Sequence, residues 1–313
     1  MSGGRGVRAP VESRSAPAGE PLFDDNFLET LAYLNIIARK ILSGQLKAER
    51  RSRKKGVSVE FADHRPYAPG DDFRFIDWSV YFRTDHLFLK LFEEEEDLHI
   101  YLLLDCSASM GFGDPDKFLY ARRLAAAIGY LGLASLDRVH VIPFVDDVPG
   151  AAADTLRIRG KAKVFQLLHF LEGRRSGGVT DMAAALRRFG ASRRKRGMVI
   201  LFTDLYDRDG VIPGLNALRY QKFDPYVIHI VSPQEAEPAL LGDLRLIDGE
   251  TGRARDVTVT EGLLRRYRQA FAAHGDRVER YCRSHGMGYA RCVTSTPFQE
   301  TVVQMLRRGK LLQ

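Results

Sequence analysis

Short apolar runs separated by segments of helical periodicity extend through most of the chain after residue 98. The runs at 100–104 and 198–202 are continuous in apolar residues, and those at 139–145 and 226–231 are mainly apolar, as expected for strands buried on both faces. Between the first two runs, at 118–132, apolar residues recur every three or four positions. Alternating strands and helices predict an α/β fold, with a doubly wound, mostly parallel sheet of Rossmann type covered by helices on both faces.

Further elements complete this pattern. Asp114 and Pro115 predict the start of the first helix of this region, with Asp114 as its N-cap and proline at the first helical position. Residues 244–247 predict another strand, which ends in a turn at 248–252. The remaining predicted elements are a short edge strand at 155–158, helices at 163–171, 182–189, 211–220 and 261–285, a strand at 289–293 and a last helix from Pro297.

The first part of the chain differs in character. Residues 1–22 are rich in Gly, Pro, Ala, Ser and Arg and lack an apolar centre, so we interpret them as a disordered tail. From Phe27 to Gly44 apolar positions recur every three or four residues and predict an amphipathic helix. Asp24 or Asp25 is its predicted cap, and Gly44 its predicted end.

Residues 56–92 predict a small β subdomain. Apolar residues alternate near both ends of this segment, with Pro and Gly turns between them. Together with the preceding helix it forms a predicted domain at 23–96, followed by the main domain at 97–313. Charged and aromatic side chains are dense here, and either they form a partner-binding surface or the Arg and Asp residues tie the subdomain's own loops together. The residues of the candidate partner surface are Arg74, Asp77, Trp78 and Arg83.

Composition narrows the functional classes. The chain has 313 residues, of which 45% are hydrophobic and 28% are charged. No apolar run approaches the roughly 20 residues of a membrane-spanning helix, and no signal peptide is visible. The 3 cysteines have no CxxC spacing, so we expect a reducing, cytoplasmic location. The net charge of +7 is modest, and no nucleic-acid-binding module is recognisable around the basic clusters, so no nucleic-acid partner is predicted.

Oxygen-bearing side chains follow two of the predicted strands. Asp105, Ser107 and Ser109 come directly after the run at 100–104, and Asp204 follows the run at 198–202. Because parallel strands end at the same edge of a sheet, where open α/β sheets bind ligands, we expect these side chains to converge. Thr180 stands at a predicted helix start and offers another hydroxyl. Such oxygens suit Mg²⁺ or Mn²⁺.

This set, DxSxS followed by a Thr and a strand-end Asp, resembles the metal-ion-dependent adhesion site of von Willebrand factor A domains. The resemblance implies that the hydroxyls of Ser107, Ser109 and Thr180 hold Mg²⁺ (or Mn²⁺). It also implies that Asp105 and Asp204 act directly or through bound water. One coordination position would remain for an acidic side chain of a partner protein.

The upstream segment resembles the bacterial family called domain of unknown function 58. The motif consists of Glu60-Phe61, Arg65-x-Tyr67, Pro69-Gly70-Asp71-Asp72-x-Arg74-x-Ile76-Asp77-Trp78 and Arg83. Phe82 departs from the pattern, because a small residue is expected before Arg83. The resemblances together cover roughly residues 25–235. They imply a MoxR-type AAA+ ATPase as partner, in a chaperone-like system. The chain itself has no GxxxxGK[ST] motif.

The sequence therefore predicts a metal-dependent protein–protein interaction module that is not an enzyme. One alternative is a scaffold that binds without metal, in which the hydroxyls only cap loops. A second is a Mg²⁺-dependent phosphatase-type hydrolase, which also has an Asp at the end of its first strand. That chemistry needs a second carboxylate two residues later, where this chain has Ser107, and no lysine for the phosphate is identifiable.

Overall fold

The computed structural model describes residues 22–52, 63–91, 98–145, 155–207, 210–249 and 252–307. The chain divides into two compact units, a smaller one within residues 39–97 and a larger one from residues up to 38 together with those from 98 onward. No helix within these described ranges is long and apolar enough to cross a membrane.

Strands and helices follow one another through the described residues of both units. The strands are β1 (Asp63–Pro66), β2 (Phe88–Leu91), β3 (His99–Asp105), β4 (Arg138–Phe144), β5 (Leu156–Arg159), β6 (Met198–Thr203), β7 (Asp224–Val231), β8 (Gly242–Ile247), β9 (Ala254–Val259) and β10 (Gly288–Val293). The helices are α1 (Asp25–Ser52), α2 (Trp78–Thr84), α3 (Lys117–Ala134), α4 (Val164–Glu172), α5 (Met182–Ala191), α6 (Ile212–Tyr220), α7 (Pro233–Ala236), α8 (Glu261–Ser284) and α9 (Phe298–Arg307).

The central sheet of the larger unit has, among the described residues, six strands in the order β10-β7-β6-β3-β4-β5. All neighbours are parallel except β5, which runs antiparallel to β4 at the edge. This is the doubly wound order, in which the chain builds outward from β3 on one side and then returns to β6 on the other. The prediction of a mostly parallel α/β sheet is confirmed. The order reverses between β3 and β6, so a crevice is expected beyond their carboxyl ends.

The core lies on both faces of this sheet. Leu102 in the middle of β3 pairs with Val141 of β4 and with Ile200 of β6, and all three are fully buried. α3 covers one face, and α5 and α6 cover the other, where Leu186 and Leu215 join the core cluster. Burial on both faces explains why the strand sequences are mainly apolar rather than alternating.

Two predicted helix boundaries need correction. The N–H of Phe27 donates to Asp24 Oδ1 at 2.8 Å, so Asp24 does cap α1, but the helix continues through Gly44 to Ser52. A glycine weakens a helix by about 1 kcal/mol without ending it. Asp116, two residues after the predicted cap, accepts a hydrogen bond from a backbone N–H in the first turn of α3. The helix therefore begins directly after the second of two closely spaced Asp residues.

The predicted strand at 244–247 exists but does not join the central sheet. It forms β8, which pairs with β9 in a separate antiparallel hairpin. Polar residues alternate with apolar ones along β8, and most of the strand is exposed. Such a strand lacks the continuous apolar character that a central position requires. The strand expected near 57–61 lies outside the described residues.

The smaller unit contains an antiparallel pair, β1 with β2, and the short helix α2. Paired charges secure its turns. Arg65 contacts Asp71 at 2.7 Å, and Arg74 contacts Asp72 at 2.6 Å. These pairs are the loop-tying contacts that one interpretation of this segment predicts.

A glycine just before β6 gives a test of this packing. A Cβ on Gly197 would lie 2.1 Å from the carbonyl oxygen of His99, a backbone atom that cannot move without shifting β3. We expect Gly197→Ala to lower the free energy of unfolding by about 3 kcal/mol. Chemical denaturation measures this loss. Gly249→Ala is the matched control, because nothing lies near its added methyl group and its stability should be unchanged. Equal stability of the two variants would contradict the β3–β6 packing described here.

Candidate functional site

The candidate site begins where β3 ends. Asp105 is the last residue of the strand, and its Oδ1 accepts a hydrogen bond from the backbone N–H of Ser107 at 3.0 Å. The chain then forms a 3₁₀ turn at Ala108–Gly111. The hydroxyl oxygens of Ser107 and Ser109 lie 3.0 Å apart. The DxSxS loop therefore brings one buried carboxylate and two hydroxyls together, as its spacing predicts.

A glycine segment brings the loop before α5 against the DxSxS loop. The N–H of Ala108 donates to the carbonyl of Gly178 at 3.0 Å, and the N–H of Gly177 donates to the carbonyl of Cys106 at 2.7 Å. Gly178 has φ +88°, and an added Cβ would lie 2.7 Å from Val145 Cγ1. Glycine is the residue that fits there. Two backbone hydrogen bonds thus fix one loop on the other.

Thr180 reaches the site from this second loop. Its hydroxyl donates to Asp105 Oδ1 at 3.4 Å, and the residue is buried. The helix cap that its position suggests is supplied instead by Asp181, which accepts a hydrogen bond from Ala184 N–H at 2.7 Å. Because the neighbouring carboxylate caps α5, the Thr180 hydroxyl is available to Asp105.

The end of β6 completes the cluster. Thr203 donates its hydroxyl hydrogen to Asp105 Oδ2 at 2.8 Å and so joins the ends of the two strands. Asp204 follows; its Oδ1 accepts from the Tyr206 N–H at 3.0 Å, and its Oδ2 accepts from Lys117 Nζ at 2.7 Å. The five predicted residues therefore meet at the strand-order reversal. Hydrogen bonds join Asp105 to Ser107 and to Thr180, and Ser107 to Ser109. Asp204 acts on Asp105 through its charge.

Two charged residues of this region were missed by the sequence reasoning. Lys117, the first residue of α3, has a fully buried side chain whose Nζ contacts both Asp204 and Glu235. The Oε2 of Glu235 accepts a hydrogen bond from Ser232 N–H at 3.3 Å. One signal was present in the sequence: Lys117 opens a helix of mainly apolar residues, at the end where the helix dipole disfavours a cation.

The charges of the site are strongly coupled. Burial, followed by the negative charge of Asp204, raises the pKa of Asp105 to about 7. Burial also raises the pKa of Glu235, against the opposing effect of Lys117. The ammonium group of Lys117 pairs with Asp204 and Glu235, and the buried carboxyl group of Asp105 is subject to the charge of Asp204. A divalent cation offers the compensating charge, and the donors are all oxygen atoms, so the residues present fit Mg²⁺ or Mn²⁺.

The candidate metal ligands are hydroxyl groups as well as carboxylates. In the parts of the chain that the structure describes, no group of three or more His, Cys, Asp or Glu side chains is arranged to hold a metal ion. A metal at this edge would therefore depend on the hydroxyls of Ser107, Ser109 and Thr180 in addition to the two Asp residues.

The four candidate partner residues lie in the smaller unit. Asp77 is buried and caps α2, accepting hydrogen bonds from the Ser79 N–H at 3.0 Å and the Ser79 hydroxyl at 2.6 Å, so it has a structural role. Trp78 is 53% exposed, and Arg74 and Arg83 are exposed as well. Phe82, the residue that departs from the expected motif, is 83% exposed, so its size disturbs no packing within the described residues.

A family profile matches residues from both units of the chain. The profile described as "Protein of unknown function DUF58" matches residues 63–278, more than half of the chain. The chain belongs to the DUF58 family. Its relatives include the uncharacterized proteins Rv1480 of Mycobacterium tuberculosis and Mb1516 of Mycobacterium bovis. Each is 27% identical over 297 residues, which cover 92% of this chain and 92% of the relative.

Solved structures with a similar fold have low sequence identity to this DUF58 chain. BatB from Bacteroides thetaiotaomicron is 17% identical, with 67% of this chain and 98% of that chain covered and a TM-score of 0.39. An aerotolerance-related membrane protein from Bacteroides fragilis is 18% identical, with 67% and 99% covered and a TM-score of 0.41. A von Willebrand factor type A protein from Catenulispora acidiphila is 15% identical, with 68% and 42% covered and a TM-score of 0.38.

The buried carboxylate of Asp105 predicts a pH-dependent stability. The folded-state pKa of about 7 lies above the ordinary value of 3.8, so the folded protein holds a proton that the unfolded chain releases between these pH values. Stability is therefore lost as the pH rises through this window. In EDTA, we expect Asp105→Asn to be more stable than the wild-type protein by about 2 kcal/mol at pH 8, with a smaller difference at pH 5.

Denaturation at the two pH values measures this difference. Ser109→Ala is the control in the same loop, because it removes a hydroxyl that does not titrate, and its effect should be equal at both pH values. A stability difference for Asp105→Asn that does not change with pH would show that the carboxyl group ionises normally in the folded protein.

Proposed function

We propose that this DUF58 protein is a metal-dependent protein–protein interaction module rather than an enzyme. The observation that supports this most is the buried meeting of Asp105 and Asp204 at the strand-order reversal, with hydroxyl groups around them. Like charges in a buried space are costly unless a cation or a proton compensates for them. The oxygen donors of this cluster are Asp105, Ser107, Ser109, Thr180 and Asp204.

Each side chain has a distinct part in this proposal. The hydroxyls of Ser107, Ser109 and Thr180 contribute oxygen ligands without charge, and Asp105 and Asp204 contribute negative charge. A bound Mg²⁺ or Mn²⁺ would supply a positive centre that an external carboxylate can complete. Because most of the direct donors are neutral, much of the positive charge would remain available to that carboxylate. The chain's own role is to hold these donors in place before the partner arrives.

The proposed partner is a protein that offers an acidic side chain. The family resemblance supports a MoxR-type AAA+ ATPase in this role, in a cytoplasmic chaperone-like system. A second surface is proposed to help select the partner. It consists of Arg74, Trp78 and Arg83, which are exposed in the smaller unit. Asp77 is excluded from that surface by its burial beneath α2.

Isothermal titration calorimetry with Mg²⁺ and with Mn²⁺ tests the metal site directly. We expect saturable binding to the wild-type protein. In the double variant Asp105→Ala, Ser107→Ala the affinity should fall by at least about a hundredfold, more than is typical for residues outside the coordination shell. The double variant Ser107→Ala, Ser109→Ala should lose binding as well. Ser284→Ala, which removes an exposed hydroxyl at the end of α8, is the control and should bind as the wild type does.

Metal binding that survives both double variants would contradict the proposed site. Partner binding that is unchanged in EDTA would instead favour the metal-independent scaffold. One observation favours the hydrolase alternative: Lys117 lies beside Asp204, as a lysine that contacts a phosphate group would. Metal-dependent hydrolysis of p-nitrophenyl phosphate, lost in Asp105→Asn, would favour that alternative over a binding module.

A further inference from the structure

The ion cluster centred on Lys117 has no role in the proposed coordination of the metal. The side chain of Lys117 is 0% exposed, although it carries an ammonium group. Burying an ammonium group costs several kcal/mol unless partners compensate for it. It lies at the amino-terminal end of α3, where the helix dipole adds to that cost. A lysine in this position therefore depends on its carboxylate partners.

The two partners differ in their relation to the candidate metal site. Nζ donates to Asp204 Oδ2 at 2.7 Å, and it also contacts Glu235 Oε1. Asp204 is one of the five candidate ligands, whereas Glu235 is not. Glu235 is positioned independently of the lysine, because its Oε2 accepts the Ser232 N–H in the cap of α7. The ammonium thus bridges the site and a fixed carboxylate beside it.

This bridge limits what Asp204 can offer to a metal. Its Oδ1 already accepts the Tyr206 N–H at 3.0 Å, and its Oδ2 accepts the ammonium group. A cation that approaches either oxygen must share it with a donor. The ammonium also repels a second positive charge across this short distance in a medium of low dielectric constant. Lys117 and a divalent cation therefore act against each other at Asp204.

We propose that Lys117 is a built-in competitor for Asp204 that weakens the hold of the site on a divalent cation. Glu235 is the alternative partner of the ammonium group, and it keeps that group paired when the cation binds to Asp204. This inference rests on the proposed metal site and adds a determinant of its affinity. A purely structural lysine predicts the opposite result, because its loss would disorder Asp204 and weaken metal binding.

Three variants separate these roles in calorimetric titrations with Mg²⁺ and Mn²⁺. Lys117→Met removes the competitor and should strengthen metal binding by at least about tenfold. Glu235→Gln removes this alternative partner and leaves the ammonium group on Asp204. It should weaken metal binding severalfold. Because Lys117→Met leaves two buried carboxylates without their partner, the double variant Lys117→Met, Glu235→Gln serves as the better-folded form. It should also bind more tightly than the wild type.

The double variant also tests whether Glu235 acts through the lysine. If it does, Glu235→Gln should have little effect in the Lys117→Met background, although it weakens binding in the wild type. Lys163→Met, which removes an exposed lysine elsewhere on the surface, is the control for net charge and should leave the metal affinity unchanged. Circular dichroism and thermal denaturation in EDTA establish that each variant is folded before titration.

The outcomes distinguish this inference from the proposed function. If the wild type binds metal and both Lys117 variants bind it with equal or lower affinity, the role of Lys117 as a competitor is contradicted, whereas the metal site is supported. Absence of binding in the wild type together with tight binding in the Lys117 variants supports the competitor. If neither the wild type nor any folded variant binds metal, the proposed metal site is contradicted, and so is the role of Lys117 as a competitor. Tight binding in a Lys117 variant must also be lost when Ser107→Ala and Ser109→Ala are added, or it belongs to another site.

Discussion

The repulsion between two buried carboxylates is the constraint on which the rest of this edge depends. Asp105 and Asp204 end neighbouring parallel strands, so the topology itself brings their charges together. In a buried space such a pair is costly, and one of the groups tends to hold a proton. Burial first, and the negative charge of Asp204 second, raise the pKa of Asp105. The surrounding hydroxyls, backbone donors and ammonium group are all compensations for the cost of this pair.

These compensations come from elements that are distant in sequence. Thr203 donates a hydroxyl hydrogen to Asp105 from the end of β6, Thr180 does so from the loop before α5, and Lys117 donates to Asp204 from the start of α3. The glycine segment at 177–178 lets the loop before α5 approach closely enough. Because these elements contribute one donor each, the site is assembled only when β3, β6, the start of α3 and the loop before α5 have come together. Function and fold are therefore coupled at this edge.

The sequence was sufficient to predict the site residues that follow directly after a strand. Asp105 and Asp204 each follow a continuous apolar run, and a parallel sheet places such residues at one edge. Lys117 and Glu235 follow no strand directly, and their pairing depends on how α3 and α7 pack, which periodicity does not encode. The predicted cap at Asp114 also concealed Lys117, because it placed that residue within the first turn rather than at its start. The β8–β9 hairpin was missed because its partner strand is polar and exposed.

The charge balance of the cluster connects metal affinity with partner affinity. An ammonium group shared with Asp204 reduces the negative charge that a divalent cation meets, so the cation is held less tightly. The same sharing leaves more of the cation's positive charge unneutralised, which favours an external carboxylate. With the ammonium on Glu235 instead, both Asp residues would face the cation, and a partner's carboxylate would meet a nearly neutral centre. Under the proposed function, Lys117 therefore exchanges strength of metal binding for strength of partner binding, and Glu235 sets the balance between them.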